Sequence, residues 1–493
     1  MKPKNISTLL ILLLLVYSGF SQKTTRQLTL EEALSIAKTQ SPDALNARQT
    51  FRSSYWEYRS YTASNLPYLT FTATLPNINQ TISSQSIDGV QSYASYKYIS
   101  AQGNLALSQK IGITGGTVSI NSYLGAQFNA DKSKNQAPYL SYPVNIELSQ
   151  PIFTYNSFRW DRKIQPLKYS MAKRKYLEDI EQIAVTATNY FFTLLQSQIE
   201  KKISQTNLSN YDTLYRIAKG RYQLGKIAEN DLLQLELSFL KAQAQVQNAD
   251  LALENAQFRF KSFLRLQDSM QVILIPPNNI NFFLINPGKA VELANQNSSS
   301  SLDFKRRLLE AASGVNYAKT NGRFDATIHA LIGLQQSGAT IPDAYLNPAD
   351  QRQVSVGLTI PIVDWGVARG KIKMAQSQEE IVKNSVEQEI IDFQRNVYLK
   401  AVQFNMQQTQ IMIAAKSDTV ARKSYEVIKG RYLIGKINSI LDLNNAQIET
   451  DNSEKNYYTA LQTYWRNYFE IRKLTLFDFR KNENLELDLR IIK

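Results

Sequence analysis

Apolar residues along this chain keep two different spacings, each confined to its own blocks. Strict alternation runs through Leu69-Thr70-Phe71-Thr72-Ala73-Thr74-Leu75, Gly103 to Ser108, Val118 to Asn121 and Val144 to Leu148. It returns in Ala326 to Leu334 and in Val354 to Ile360. A period of two places every second side chain on one face and predicts strands. The polar, turn-rich runs from Asn77 to Ser92 and from Ser337 to Asp350 read as exposed loops, and Gly115-Gly116 as a hairpin turn.

The second spacing is seven. Val185, Phe192 and Ile199 follow it with Leu195 between, and Ile390, Val397, Phe404 and Ile411 follow it with Ala401 between. That is coiled-coil spacing, and it predicts long helices over 159–222 and 369–432, each on the order of 100 Å at 1.5 Å per residue. Gln243, Gln245, Gln247 and Asn248 show how polar the other faces are. A narrow apolar seam on a wet helix suits side-by-side packing with water on both sides. Earlier in the chain, Thr29-Leu30-Glu31-Glu32 is a capping-box pattern, and Ser41-Pro42-Asp43 offers a second helix start with Pro at the first helical position.

The blocks occur twice. Lys219-Gly220-Arg221-Tyr222-Gln223-Leu224-Gly225-Lys226-Ile227 returns as Lys429-Gly430-Arg431-Tyr432-Leu433-Ile434-Gly435-Lys436-Ile437, an offset of 429 − 219 = 210. The junction Leu148-Ser149-Gln150-Pro151-Ile152-Phe153 returns as Leu358-Thr359-Ile360-Pro361-Ile362-Val363 at the same offset of 210. Nearer the start of each copy, Thr62 to Tyr68 lies opposite Lys319 to Asp325 at a weaker match and an offset of 257. The difference, 257 − 210 = 47, assigns the extra residues of the first copy to its β region and leaves the helices equal.

Composition narrows the chemistry. The 493 residues contain no Cys and a single His, His329, which excludes disulfides, thiolate metal sites and a thiol nucleophile and leaves little for imidazole chemistry. Neither a Gly-x-Ser-x-Gly elbow nor a convincing carboxylate pair points to a hydrolase. The net charge of +14 comes from basic residues mixed with acidic ones, as in Lys173-Arg174-Lys175-Tyr176-Leu177-Glu178-Asp179. Such mixing reads as a solvated helix face rather than a nucleic-acid footprint. Lys2, Lys4 and the apolar run Leu9 to Val16 read as a signal for export, with cleavage near Ser21–Gln22. No other stretch approaches the roughly 18 apolar residues of a transmembrane helix, so entry into a membrane would require a closed β-barrel.

The export signal, the start Leu28-Thr29-Leu30-Glu31-Glu32-Ala33-Leu34, Ser41-Pro42, the two strand–Pro–Ile–helix junctions and the two Gly-Arg-Tyr-x-x-Gly-Lys turns together resemble the TolC-like outer-membrane efflux family over the whole mature chain. The resemblance implies an α+β membrane protein: a two-repeat subunit whose long helices form a periplasmic α-barrel and whose strands join a shared transmembrane β-barrel. It implies a homotrimer in outer-membrane lipid, a passive duct without cofactor or metal. A periplasmic adaptor and an inner-membrane RND or ABC transporter would be its partners. The corresponding division is signal 1–21, first repeat 22–268, equatorial connector 269–288, second repeat 289–478 and C-terminal tail 479–493. The family pattern further implies four strands per subunit; the longer first β region departs from it, and its additional hairpin would either widen the barrel or sit outside it.

By the same resemblance Gly220, Arg221, Tyr222 and Gly225, with Gly430, Arg431, Tyr432 and Gly435, form two periplasmic tip turns that meet the adaptor. As ordinary chain geometry, the glycines fit helix ends and tight reversals. Asp442 and Asn445, with Asp231 in the first copy, are candidates for a constriction at the entrance. Against this, Asp442 lies three residues after Ser439, where a carboxylate in the first turn of a helix is favoured anyway. Trp160 and Trp365 follow the two junctions and suit either a membrane-interface girdle or packing on the helices. An exported soluble coiled-coil scaffold or adhesin is the alternative from another class.

Overall fold

The computed structural model describes residues 25–87, 90–129, 137–277, 280–436 and 439–487. The export signal, its cleavage site and the end of the tail lie outside them. In chain order the first copy runs β1 (Thr25–Leu28), α1 (Leu30–Gln40), α2 (Pro42–Ala63), β2 (Tyr68–Ile87), β3 (Val90–Ile111), β4 (Gly116–Asn129), β5 (Tyr139–Ile152), α3 (Ser157–Gln223) and α4 (Glu229–Leu264). After β6 (Gln271–Leu274) the second copy runs α5 (Pro287–Asn297), α6 (Ser299–Asn321), β7 (Asp325–Gly338), β8 (Ala349–Thr359), α7 (Val367–Leu433) and α8 (Ile440–Thr475). Two short strands close it, β9 (Phe477–Asp478) and β10 (Glu483–Asn484).

The repeat is visible element by element. Helices α1 and α5 are offset by 257 at both ends (287 − 30, 297 − 40), and α3 and α7 by 210 at both ends (367 − 157, 433 − 223). Both α3 and α7 have 67 residues, and both α4 and α8 have 36. Strands β2 and β7 begin 257 apart (325 − 68), so the strands without counterpart in the second copy are β3 and β4.

The capping box forms as its residues suggest: Thr29 Oγ1 accepts from the Glu32 N–H at 3.3 Å, and Glu32 Oε2 accepts from the Thr29 N–H at 2.9 Å. Pro42 opens α2, while Ser41 Oγ accepts from the Ala44 N–H at 3.1 Å. The run Asn77 to Ser92, read above as a loop, is instead mostly strand, with β2 paired to β3 from Asn77↔Ser100 through Ile87↔Val90. Its Asn, Gln, Ser and Thr side chains lack apolar alternation, but a ladder is held by backbone hydrogen bonds and does not need it.

The chain divides into two compact units, and four helices contribute residues to both. The first comprises residues up to Phe51, Lys173–Ser301 and Ile391 onward. Both heptad seams end in its core: Val185, Phe192 and Leu195 of α3 lie with Val397, Ala401 and Phe404 of α7 and with Leu461 and Tyr464 of α8. Ile390, the first residue of its seam, is only half-buried. Strand β1 pairs in parallel with β6, and Gln198 of α3 brackets β6 by accepting from the Leu274 N–H and donating to Val272 O.

A buried ionic knot lies in this unit. Glu181 of α3 takes Lys38 of α1 at 2.7 Å and Arg472 of α8 at 3.1 Å, and Arg472 also reaches Asp478 of β9 at 3.1 Å. The Tyr468 hydroxyl donates to Asp478 at 2.8 Å. Burial acts to raise the Asp478 carboxyl, but Tyr468, Arg472 and the Lys481 and Arg480 N–H groups outweigh it and hold the group below its ordinary range. The second unit, Arg52–Ala172 with Leu302–Ile390, contains the six-stranded antiparallel sheet, in the order β2-β3-β4-β5-β7-β8.

Removing one member of the knot strands a buried charge, so Arg472→Ala should destabilise the fold by about 3–5 kcal/mol, measured by thermal unfolding in detergent. A carboxyl with a depressed folded pKa contributes stability above its unfolded value, and that stability is lost as pH falls through the folded one. Asp478→Asn should therefore flatten the acid limb of the stability curve below about pH 4.

Candidate functional site

The two turns with the repeated motif, one per copy, end α3 and α7 with the same bonds. At the first, the Gly225 N–H donates to Tyr222 O at 2.9 Å and the Lys226 N–H to Arg221 O at 2.9 Å. At the second, the Gly435 N–H donates to Tyr432 O and the Lys436 N–H to Arg431 O, both at 3.0 Å. This 6→1 and 5→2 pairing satisfies the orphan carbonyls of a helix end and requires a left-handed residue after the cap. Gly225 supplies it at φ +64° and Gly435 at φ +75°. Gly220 and Gly430 do not: both are helical, and a Cβ on either meets nothing within 4 Å. Only the second glycine of each pair is required by the turn.

Equivalent residues of the two turns do different things. The Arg221 guanidinium reaches across to the end of α7, donating to Tyr432 O at 3.1 Å and to Leu433 O at 2.7 Å, with its carbon 5.4 Å from the centre of the Tyr432 ring. A cation at two orphan carbonyls also meets the negative end of the helix dipole. Tyr432 is 1% exposed, in a cluster with Leu214, Ala218, Leu235, Tyr425, Ile440 and Leu443. Its counterpart Tyr222 is 40% exposed, and Arg431, the counterpart of Arg221, is exposed. Thus one Arg-Tyr pair binds the two helical hairpins together, and the other presents itself outward.

Asp442 and Asn445 are exposed on the first turns of α8. Ser439 Oγ accepts from the Asp442 N–H at 3.2 Å, so Ser439 caps the helix and leaves the Asp442 carboxylate on its surface. Asp231 is half-buried at the start of α4 and, after burial and opposed by Arg221, helps raise the Tyr432 hydroxyl.

Several contacts between the hairpins escaped the sequence reading. The Tyr211 hydroxyl donates to Asn444 at 3.1 Å, Lys429 Nζ to Asn210 at 3.1 Å, and Asn207 to Asp451 at 2.7 Å. Burial, with the Asp451 carboxylate, pushes Tyr211 up to about 12, and burial likewise pushes up Tyr425 and Asp451. These residues carry no shared motif. Their one sequence signal is that Asn207, Asn210, Tyr211 and Leu214 recur at helical spacing on a single face.

Away from the tips, His329 is exposed on β7. Trp160 is half-buried with its indole N–H toward Asn316 Oδ1 at 3.4 Å, while Trp365 is almost wholly exposed. No group of acidic or His side chains suited to a metal occurs among the described residues, and no described helix is long and apolar enough to cross a membrane.

The model of the outer membrane efflux protein family matches residues 33–264 and 327–475, which is both repeats. Solved structures with a similar fold include a membrane protein from Pseudomonas aeruginosa (14% identity, TM-score 0.65, 90% of each chain covered). The CmeC outer membrane channel of Campylobacter jejuni is also similar (15% identity, TM-score 0.63, 93% of this chain and 87% of that one). So is the outer membrane protein VceC of Vibrio cholerae (12% identity, TM-score 0.63, 93% and 97%). No curated protein sequence matches the chain.

The turns make an ordered prediction. Gly225→Val and Gly435→Val force a branched side chain into the left-handed region and should each cost at least about 1–2 kcal/mol. Gly220→Ala and Gly430→Ala should instead stabilise by about 0.5–1 kcal/mol, because alanine is the better helix former. Thermal unfolding of the four variants checks the order. Arg221→Ala should loosen the tip by roughly 1.5–3 kcal/mol and raise its protease sensitivity, whereas Arg431→Ala should leave both unchanged.

Proposed function

We propose, from the premise that this chain belongs to the outer membrane efflux protein family, that it is one subunit of a homotrimeric export duct. Family membership makes it an outer-membrane efflux channel and not an enzyme. In the proposed assembly the repeats 22–268 and 289–478, with connector 269–288 between them and tail 479–493 after them, supply strands to a shared barrel and helices to a periplasmic tube. A periplasmic adaptor and an inner-membrane RND or ABC transporter drive small molecules or proteins through it.

The observation that carries this reading is the six-stranded sheet with β2 and β8 at its two ends. One chain cannot close it, and an open edge in lipid leaves backbone N–H and C=O groups without partners. Symmetric copies that join β8 of one to β2 of the next leave neither end strand without a neighbour. The tips then divide their labour. Arg221 and Tyr432 hold the two hairpins of one subunit together, while exposed Arg431 and Tyr222 are offered to the adaptor. Asp442, exposed and repeated by symmetry, lines the entrance with Asn445 beside it, and Asp231 stays inside the tip as a structural group.

A soluble coiled-coil scaffold is disfavoured by the apolar residues that the sheet leaves exposed, among them Phe71, Leu75, Val354 and Val356. Fractionation of the cell envelope followed by native mass measurement in mild detergent tests the proposal. Three subunits in an outer-membrane particle are expected. A soluble monomer or dimer in the periplasm would overturn it.

A further inference from the structure

The extra hairpin of the first copy, β3–β4, is not an appendage to the sheet. It sits second and third in the strand order, between β2 and β5. Excluding it from a barrel would require breaking the β2–β3 and β4–β5 ladders and pairing β2 with β5 afresh. The ladder between β2 and β3 extends from Tyr68↔Ser108 to Ile87↔Val90 with a single irregularity, between Thr74 and Asn77.

Its two faces match those of the other strands. One row of directly opposed residues crosses all six strands through Leu69, Leu107, Ile120, Ile146, Ile332 and Arg352. The adjacent row, on the opposite face, crosses through Thr70, Ala106, Asn121, Asn145, Gly333 and Gln351. An apolar face and a polar face therefore continue through β3 and β4 without a change of side. The apolar face is the open one, with Ile146 45% and Ile332 56% exposed, whereas Asn145 is 6% exposed. Glycines on the polar face make the room its side chains need: a Cβ at Gly333 would meet Asn145, and one at Gly125 would meet Tyr123. Crowding on the polar side and splaying on the apolar side are what a sheet curved around its polar face produces.

The apolar band is also slanted. On β2 it begins at the row of Leu69 and rises through Phe71, Leu75 and Ile78; on β8 it lies below that row, at Val354, Val356 and Leu358. A belt level with a membrane must slant across the ladder in this way when strands tilt in a closed barrel. On the extra hairpin the band continues through Leu105, Leu107 and Ile120, which are exposed like the apolar residues of the flanking strands. Six is also an even number of up-and-down strands, so β8 of one chain and β2 of the next would meet antiparallel like every other pair.

We propose that all six strands of each chain enter the membrane, so that the shared barrel has eighteen strands rather than the twelve that four per subunit would give. This rests on the homotrimer proposed above. With strands about 4.8 Å apart and tilted by about 40°, the barrel widens from about 24 Å to about 36 Å between strand axes. Its water-filled interior gains Asn104, Asn121 and Tyr123 from the extra hairpin.

The absence of cysteine makes the test direct. Single substitutions Asn104→Cys, Leu105→Cys, Ile120→Cys and Asn121→Cys, with Leu331→Cys and Ile332→Cys on β7 as the reference pair, are each labelled with a nitroxide in the full-length protein. The protein is reconstituted in phospholipid, and only particles whose native mass is first confirmed are read. Positions 105, 120 and 332 should be reached severalfold better by oxygen, which collects in lipid, than by a water-soluble nickel chelate; positions 104, 121 and 331 should show the reverse. Two positions on each added strand keep the test open if one variant fails to assemble. Three-subunit particles in which 105 and 120 are as open to the chelate as 104 and 121, while the reference pair alternates, would overturn the eighteen-strand barrel and leave the trimer standing. A mass other than three subunits would overturn both. Images of the detergent-solubilised particle give an independent reading, since a barrel near 24 Å would also overturn the proposal.

Discussion

An antiparallel sheet ending in two unpaired strands cannot be at rest in lipid. Every N–H and C=O along the free edges of β2 and β8 seeks a partner that hydrocarbon does not provide, at a cost of several kcal/mol for each one left unpaired. In the proposed assembly those groups are satisfied by another copy of the chain. The even strand count, the shared apolar face and the polar face opposite it all suit that closure. In that assembly, stability in the membrane is a property of the joined copies rather than of one subunit.

The helical unit depends on a different balance. Its heptad seams are narrow, but they end in a broad apolar core around Phe192, Phe404 and Tyr464 to which the shorter helices and β6 also contribute. The charged knot of Lys38, Glu181, Arg472 and Asp478 joins α1, α3, α8 and β9 there. Apolar seams attract one another without much discrimination, whereas a buried charge accepts only a partner of the right sign in the right place.

Most of the helical architecture was legible in the sequence because it is periodic and local. Heptads, the capping box at Thr29 and the proline at Pro42 each act within a turn or two of chain, and each forms as its residue type dictates. The duplicated turns were legible because their motif is repeated. What was not legible is long-range or irregular. The hairpin around Asn77 to Ser92 has too polar a sequence to show alternation, and the β1–β6 pair joins four-residue strands far apart in the chain. At the tips, the motif assigned the same role to Arg221 and Arg431. Only their surroundings separate them, since one guanidinium reaches the end of a neighbouring helix and the other remains exposed.

The equality of the helices between the two copies also bears on how such a chain can change over time. The second copy is one residue longer at its tip (440 − 229 = 211 against 210), the first is longer by a whole hairpin at the sheet, and neither long helix differs in length. A residue added inside a coiled-coil helix rotates every later side chain by about 100° and throws the seam off its partner. A hairpin added to a meander leaves every existing face where it was. Between the two copies the large difference in length therefore lies sideways around the sheet, as a unit of two strands, where it leaves the helical seams in register.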